Sequence, residues 1–499
     1  MARVRGQARR TAARGERGWR AMATRPLAAT GGEEILRHGK KASGVRRMGL
    51  GIAVIEGFPF LLDDTGASDR PSWPRSSTPG ASASPSSTPS TTTAVAGLTA
   101  FRFATIPDGL PESDADATQD PATISYATKH NCPPHLRSLL AGLDGVTCVV
   151  ADNLMSFSVD AAREMGVPCA LFETASACGY MGYRNFRLLI DRGIIPFKDE
   201  EQLTNGFMDT PVDWAPGMSK HMRLKDFPTF LRTTDPNDVL MNFQLQEVER
   251  SEYASAVVIN TFDELEQPAL DAMRAIIPAV YTIGPLASVT EQVVVRRGPG
   301  PLDAVSCSLW REDQSCLAWL DARKPRPRSV VYVNFGSITV MSGQELAEFA
   351  SALASSGHDF LWIVRPDVVK GDTSSAAALP PGFLEATKGR GLLASWCDQE
   401  AVLRHEAPFF AEQQTNCRYK CVEWGVAMEV GDDVRREAVE ARIREAMGGD
   451  KGKEMARRAA EWKEAAAGSA ARSLANLDRL INDVLLSPAR LAAYSKWLQ

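Results

Sequence analysis

The sequence predicts an α/β protein built on two doubly wound parallel sheets, and three observations carry that prediction. Short Val/Ile-rich runs alternate with helical patterns from about Ala94 onwards. These runs lack the apolar–polar alternation of a sheet with one solvated face, which is typical of parallel strands buried on both faces. A Gly/Pro-containing segment separates one series of runs from a second series. Two such sheets joined by a linker predict a cleft between two domains.

The predicted elements follow in chain order. Strands are predicted over residues 146–152, 255–262 and 281–286, then 329–337, 359–364 and 391–397, with helices over residues 156–166 and 343–357 and a linker through Leu302. This organisation predicts a first domain over residues 94–285, a second over residues 286–487 and a tail over residues 488–499.

The composition restricts the class of protein. The chain has 499 residues, of which 44% are hydrophobic and 23% are charged, as in ordinary globular proteins. A formal net charge of -5 argues against nucleic-acid binding along the whole chain. Nine cysteines without a CxxC pair predict neither a disulfide framework nor a zinc site, so a reducing, cytoplasmic setting is expected. The most apolar early run, residues 49–62, is too short to span a bilayer, and we expect no membrane span.

Two N-terminal tracts have compositions that cannot pack a core. Residues 1–49 carry thirteen Lys and Arg against three Glu, and residues 65–93 are a Ser/Thr/Pro tract. Residues 1–93 are therefore predicted to be a disordered or non-native extension, with a transit peptide as the alternative for the Arg-rich start. Codons for residues 72–93 can be chosen so that the neighbouring frame encodes a helix, a Gly turn and a strand. A shifted reading frame is therefore a hypothesis for the origin of this tract.

Isolated motifs leave alternatives open. GLGIAV at Gly49 lacks the third glycine of a dinucleotide fingerprint and GGDKGKE at Gly448 lacks Walker spacing, so both are expected to be ordinary loops. Ser337, after Phe335-Gly336 at a strand end, belongs either to a phosphate-binding helix start or to a plain strand-to-helix turn. Asp152 ends a strand at the edge where α/β proteins bind ligands, and by itself it is either a helix N-cap or a catalytic group.

Together the motifs are more specific. NTFDELE, YTIGPL, CLAWLD, SVVYVNFGS, FLWIVRP and WCDQEAVLRHEA followed by FFAEQQTNC closely resemble the plant family-1 UDP-sugar glycosyltransferases, over about residues 94–487. The resemblance implies a glycosyltransferase B-type fold of two Rossmann-like domains, with a small-molecule acceptor bound mainly by the first and a UDP-sugar mainly by the second. The implied reaction transfers glucose from UDP-glucose to a hydroxyl of a small lipophilic acceptor with inversion, and it needs no metal or other cofactor.

In that family a histidine held by an aspartate deprotonates the acceptor hydroxyl. The resemblance implies roles for seven residues of this chain: Asp152 as the orienting carboxylate, Trp396 as the platform on which uracil stacks, Gln399 as a nucleoside contact, Ser337 as a phosphate contact, Glu412 and Gln413 as partners of the sugar hydroxyls, and Thr174 as a further sugar contact.

Four departures from the family pattern bear on activity. The sequence has no Gly-His-x-x-Pro-like motif for the general base, and of its histidines only His130 is considered as a substitute. The signature box lacks its His-x-Gly-Trp-Asn-Ser phosphate loop after Ala407. Asp398 stands beside the platform Trp in place of a small residue or Pro, and Glu173 precedes Thr174 where an aromatic residue is usual. Both domains are thus expected to be incomplete, and the alternative function is a catalytically inactive remnant or a defective gene model.

Overall fold

The computed structural model describes most of the chain from residue 120 to residue 486. The described residues are 52–56, 104, 106–110, 120–143, 145–297, 312–324, 326, 328–336, 341–366, 368–369, 379–404, 414–430 and 434–486. Within them the chain is an α/β protein with two sheets, as the sequence predicts. Apart from residues 52–56, the predicted extension over residues 1–93 lies outside the described residues, as does the tail over residues 488–499.

The first sheet has five strands in the described part of the chain, in the order β1-β2-β3-β4-β5. These strands are β1 Ile52–Glu56, β2 Val146–Asp152, β3 Cys169–Glu173, β4 Ala256–Ile259 and β5 Val280–Thr282. Strands β2 to β5 pair in parallel, with Asp152 opposite Phe172 where β2 meets β3. The sequence analysis predicted β2, β4 and β5 and did not identify β3.

Strand β1 corrects one expectation. Part of GLGIAV was expected to be a loop, but Ile52–Glu56 forms a strand that pairs antiparallel with β2, with Ile52 opposite Ala151. The open edge of β2 offers unpaired backbone groups with which such a strand can pair.

Helices connect the strands of the first sheet and flank it. They are α1 Pro121–Ala141, α2 Phe157–Glu164, α3 Ala177–Arg184, α4 Phe186–Asp191, α5 Val239–Arg250, α6 Asp263–Ile276 and α7 Leu286–Arg297. Short 3₁₀ turns lie between them at Asn153–Met155, Glu200–Leu203, Phe207–Asp209, Leu224–Asp226, Thr229–Leu231 and Ser251–Tyr253. Helix α7 occupies the start of the predicted linker, so this part of the linker is helical rather than irregular.

The second sheet has three parallel strands in the described ranges, in the order β6-β7-β8. They are β6 Val330–Asn334, β7 Asp359–Ile363 and β8 Gly391–Ala394, and the nearby helices are α8 Ser315–Asp321, α9 Gly343–Ser356, α10 Phe383–Ala386 and α11 Gln399–Arg404. One apolar cluster, which includes Leu320 and Val402, covers one face of this sheet. A second cluster, which includes Leu346 and Phe383, covers the other face. Burial on both faces explains why these strands read as continuous apolar runs.

The chain then returns to the first sheet. The remaining elements are α12 Gln414–Arg418, a π-helical turn Tyr419–Glu423, α13 Arg436–Gly448, α14 Asp450–Leu480 and a second π-helical turn Ile481–Leu485. Leu480 and Val484 pack against apolar side chains of the first sheet. The loop expected at GGDKGKE is wrong, because Gly448 ends α13 and α14 begins at Asp450. None of the helices in the described ranges carries an apolar stretch long enough to cross a bilayer.

Candidate functional site

Asp152 lies at the carboxyl end of β2, where the sequence places a candidate carboxylate. Its Oδ1 accepts a hydrogen bond from the Leu154 backbone N–H at 2.9 Å and so caps the 3₁₀ turn Asn153–Met155. Burial raises the pKa of Asp152, while the Leu154 N–H opposes that rise. This geometry matches the capping alternative that the sequence left open, and the catalytic role stays a prediction.

The described histidines are His130, His135, His221 and His358. None of these four donates to or accepts from the Asp152 carboxylate, whose hydrogen bond in the described part of the chain comes from Leu154. His130 lies on α1 with its ring 4.4 Å from the Tyr126 ring, and burial together with the Lys129 charge lowers the pKa of His130. The structure thus gives His130 a setting beside Tyr126 rather than beside Asp152.

Glu173 is the residue whose position the sequence analysis did not anticipate. It ends β3, is 5% exposed, and its two carboxyl oxygens accept from different turns. Oε2 accepts from Asn153 Nδ2 at 2.6 Å, and Oε1 accepts from the Ala175 N–H at 2.9 Å. Burial, with repulsion from Asp152, raises the pKa of Glu173 to about 8. This carboxyl therefore ties the turn that follows Asp152 to the turn that contains Thr174.

Thr174 is exposed at the end of β3, beside a contact with the C-terminal half. Two residues further on, Ser176 Oγ accepts from the Gly179 N–H and caps α3. The same Oγ donates to Asn416 Oδ1 at 2.6 Å. Glu412 and Gln413, which immediately precede α12, lie outside the described residues. The structure nevertheless places the start of α12 next to the turn that carries Thr174.

Further hydrogen bonds fasten the segment 414–424 to the first half of the chain. The Tyr419 hydroxyl accepts from the Ser219 N–H at 2.9 Å, and Trp424 Nε1 donates to the Leu265 carbonyl at 3.0 Å. Arg418 donates to the His221 carbonyl. Tyr419 also belongs to the apolar core of the first half. Segment 414–424 thus packs on the first half, and its start lies near the carboxyl end of β3, where open α/β sheets bind their ligands.

Trp396 and Gln399 come together at the carboxyl end of the second sheet. The Trp396 carbonyl accepts from the Asp313 N–H at 3.0 Å, and the side chain packs at the edge of the apolar cluster beside α8. Gln399 Oε1 accepts from Asn334 Nδ2 at 3.4 Å, across from the end of β6. The sequence predicted Trp396 and Gln399 but not Asn334, which holds Gln399 and also donates to the Tyr332 hydroxyl at 2.9 Å.

Asp398 has a structural explanation. Its Oδ1 accepts from the Ala401 N–H at 2.9 Å, so it caps the first turn of α11. Aspartate is among the preferred residues at such a position. The Asp398 carboxylate, whose negative charge would repel an anionic ligand, therefore accepts a hydrogen bond at the start of α11.

The predicted phosphate contact lies outside the described residues, since Ser337 is one of residues 337–340. Gly336 adopts a left-handed φ of 68°, which glycine tolerates without strain. Helix α9 starts only at Gly343, where Ser342 and Glu345 form a capping box. Because residues 337–340 lie outside the described residues, the phosphate-binding role of Ser337 stays a prediction. The buried Arg365 donates to the Gly336 carbonyl, which places a positive charge at this turn.

The described residues contain no group of three or more His, Cys, Asp or Glu side chains that could hold a metal ion. At the two strand ends the described side chains supply carboxylates, amides, a hydroxyl and one indole. Such groups can orient hydroxyls and stack on a base.

Comparison with known proteins identifies relatives over most of the chain. A 7-deoxyloganetin glucosyltransferase from Gardenia jasminoides is 47% identical over 432 residues, covering 79% of this chain and 88% of the relative. An (R)-mandelonitrile beta-glucosyltransferase from Prunus dulcis is 45% identical, covering 79% of this chain and 87% of the relative. The aligned region with the Gardenia protein is longer than 79% of 499 residues, so that relative has positions without a counterpart here. A scan against protein-family models gives no match.

Solved structures agree with this fold. A UDP-glucosyltransferase from Polygonum tinctorium, capable of glucosylating indoxyl, has a TM-score of 0.61 at 26% identity, covering 80% of this chain and 89% of the other. A second structure, of a Phytolacca americana protein complexed with UDP-2-fluoro-glucose and pterostilbene, has a TM-score of 0.53 at 25% identity, covering 76% of this chain and 82% of the other.

Proposed function

Because this chain belongs to the plant UDP-glycosyltransferase family, we propose that its site is built for glucosyl transfer from UDP-glucose to a hydroxyl of a small lipophilic acceptor, with inversion at the anomeric carbon. The observation that carries the proposal is the Ser176–Asn416 hydrogen bond, which brings segment 414–424 of the second half to the carboxyl end of β3 in the first half. Open α/β sheets bind their ligands at such strand ends, so this place suits an acceptor held by the first half and a donor held by the second.

The proposed roles follow the motifs and their places in the fold. Trp396 would stack on uracil, with Gln399 held beside it by Asn334. Asp152 and Thr174 would face the acceptor and sugar from the ends of β2 and β3, while Ser337, Glu412 and Gln413 keep the phosphate and sugar roles predicted from the sequence. We further propose a cytoplasmic setting, which the free thiols of the described cysteines support.

A second candidate function is that of a family member which does not turn over, and one observation favours it. The Asp152 carboxylate caps a turn and has no histidine of the described part within hydrogen-bonding distance. The sequence also lacks the motifs for the general base and the phosphate loop. Loss of general-base catalysis costs about 100- to 10,000-fold in rate. Each lost donor at a developing negative charge costs roughly 3 to 4 kcal/mol more.

The test separates donor binding from turnover. UDP binding is measured by calorimetry, and UDP release from UDP-glucose is measured with a cyanohydrin or flavonol acceptor, using the Prunus dulcis enzyme as the positive control. Turnover near that of the control would refute the inactive alternative. UDP binding without turnover would place the defect in the acceptor half, whereas no UDP binding would place it in the second sheet.

A matched pair of variants tests the platform. If Trp396 carries the uracil, Trp396→Ala abolishes any UDP binding that the parent shows. Trp214→Ala removes an indole that stacks against Arg192 in the first half, and it should leave UDP binding unchanged. Equal losses in both variants would contradict the role of Trp396.

A further inference from the structure

Two cysteines of segment 414–424 lie on one helical face. Cys417 in α12 and Cys421 in the following π-helical turn are four residues apart, and their Sγ atoms are 3.9 Å from each other. Both side chains are partly exposed, whereas the other described cysteines are all buried. The pair does not form a CxxC motif. Its spacing of four residues places both side chains on the same face of a helix.

The charges around the pair favour one thiolate. The hydrogen bond with the Cys421 thiol, helped by the Lys420 charge, lowers the pKa of Cys417. Burial and the carboxylates of Glu429 and Asp226 oppose this effect without reversing it. The same hydrogen bond raises the pKa of Cys421. Arg418, which faces Cys421, lowers that pKa only in part. A partly exposed thiolate with a second thiol beside it is the arrangement of reactive dithiols.

We propose that Cys417 and Cys421 form a reversible redox site that is oxidised to an intramolecular disulfide by a low-molecular-weight disulfide such as oxidised glutathione. The Cys417 thiolate attacks one sulfur of oxidised glutathione, which forms a mixed disulfide and expels one glutathione thiolate. Cys421 then loses its proton to water and attacks the Cys417 sulfur, which expels the second glutathione. The two protein thiols are oxidised by two electrons, and one glutathione disulfide is reduced to two thiols.

Closing this bond needs a local change of the helix, because Cβ atoms four residues apart in a helix are about 5 to 6 Å apart and those of a disulfide are about 3.5 to 4.5 Å apart. Residues four apart in a helix have Cα atoms about 6 Å apart, inside the range of about 4.4 to 6.8 Å found for disulfides. Once Cys417 is in the mixed disulfide, the thiolate that raised the pKa of Cys421 is gone, so the second step becomes easier. The closed ring spans Arg418 and Tyr419, which make contacts with the first half. Oxidation should therefore change the conformation of segment 414–424. This inference is independent of the proposed glucosyl transfer.

The experiment uses the full chain with Cys307→Ser, because Cys307 lies outside the described residues and is a separate candidate thiol. After incubation with oxidised glutathione, intact mass should fall by two hydrogens, about 2 Da, and peptide mapping should place the bond between residues 417 and 421. Dithiothreitol should restore the mass. Hydrogen exchange across residues 414–424 should differ between the oxidised and the reduced protein.

Two serine variants provide the controls. In the same background Cys421→Ser should stop at a mixed disulfide with glutathione, and its Cys417 should alkylate more slowly at neutral pH than in the parent. Cys417→Ser should show no fast alkylation at residue 421. Persistence of two free thiols at 417 and 421 under oxidised glutathione, in protein with an unchanged circular dichroism spectrum, would overturn the proposal. A bond to another described cysteine would overturn it as well.

Discussion

The buried carboxyl of Glu173 makes the stability of the protein depend on pH in a way that one substitution removes. Glu173→Gln keeps the side-chain shape and the acceptor for the Ala175 N–H. Its new amide can donate to Asn153 Oδ1 after the Asn153 amide turns over, and this oxygen is buried without a partner in the native chain. The variant therefore has no titrating carboxyl at position 173 but keeps most of the hydrogen bonds of the native side chain.

The size of the effect follows from the pKa. The folded-state pKa of Glu173 is raised to about 8 from an ordinary value of 4.5, so the folded chain holds a proton that the unfolded chain releases. The stability contributed by the neutral carboxyl is complete below pH 4.5 and is lost as the pH rises through about 8. Each pH unit in that window costs about 1.4 kcal/mol, which gives roughly 3 kcal/mol at pH 7. Because the turned Asn153 amide gives up one donor contact, we expect Glu173→Gln to gain about 1 to 3 kcal/mol at pH 7.

The assay is urea unfolding at pH 5, 6, 7, 8 and 9, for the parent and the variant. The free-energy difference between them should grow from near zero at pH 5 and level off above pH 8. Glu385→Gln removes an exposed carboxyl that lies 3.7 Å from the ammonium of the exposed Lys388, so it should show no such trend. Parallel pH profiles for the parent and Glu173→Gln would refute a buried, protonated Glu173.

Three further outcomes are expected. Ser176→Ala should lower the stability of the full chain by about 1 to 2 kcal/mol in urea unfolding, because it removes both a helix cap and the bond to Asn416. Tyr419→Phe should cost about 1 to 3 kcal/mol in the same assay, because it leaves the buried Ser219 N–H without its hydroxyl partner, whereas Tyr253→Phe at an exposed site should change little. Sequencing the transcript should show codons for residues 72–93 that spell a helix and a strand in the neighbouring frame, and any other codon set contradicts the frame hypothesis.

The strands could be predicted where several apolar residues follow one another without interruption. The runs that became β6 and β7 are rich in Val, Ile and large apolar residues, and both faces of their sheet are covered. Strand β3 was missed because CALFE is short, begins with small residues and ends with a charged one. The pairing of β1 with β2 depends on which edge is open, and a linear pattern does not record this.

The candidate site was predictable as far as its motifs are local. Trp396 and Gln399 are three residues apart, and both lie near the carboxyl ends of strands that the sequence predicted. Trp396 packs against the apolar cluster beside α8, and Gln399 accepts from Asn334 at the end of β6. The bridge made by Glu173 could not be predicted, because it depends on the parallel register that sets Asp152 opposite Phe172. That register sets Asn153, the residue after β2, level with Glu173, the last residue of β3, so the buried carboxyl can accept from the Asn153 amide. Nothing in the sequence indicates that residues 153 and 173 are in contact.

Packing and chemistry are affected differently by the departures of this chain from its family. The described second sheet has an apolar cluster on each face, and Tyr419 of segment 414–424 packs in the core of the first half. The residues that depart from the family pattern, Asp398 and Glu173, are both used by hydrogen bonds to turns. The motifs that the sequence lacks, the Gly-His-x-x-Pro-like motif of the general base and the His-x-Gly-Trp-Asn-Ser phosphate loop, act on ligands. Since ligand groups contribute little to a core, we expect the departures to reduce binding and turnover before they reduce the stability of these packed clusters.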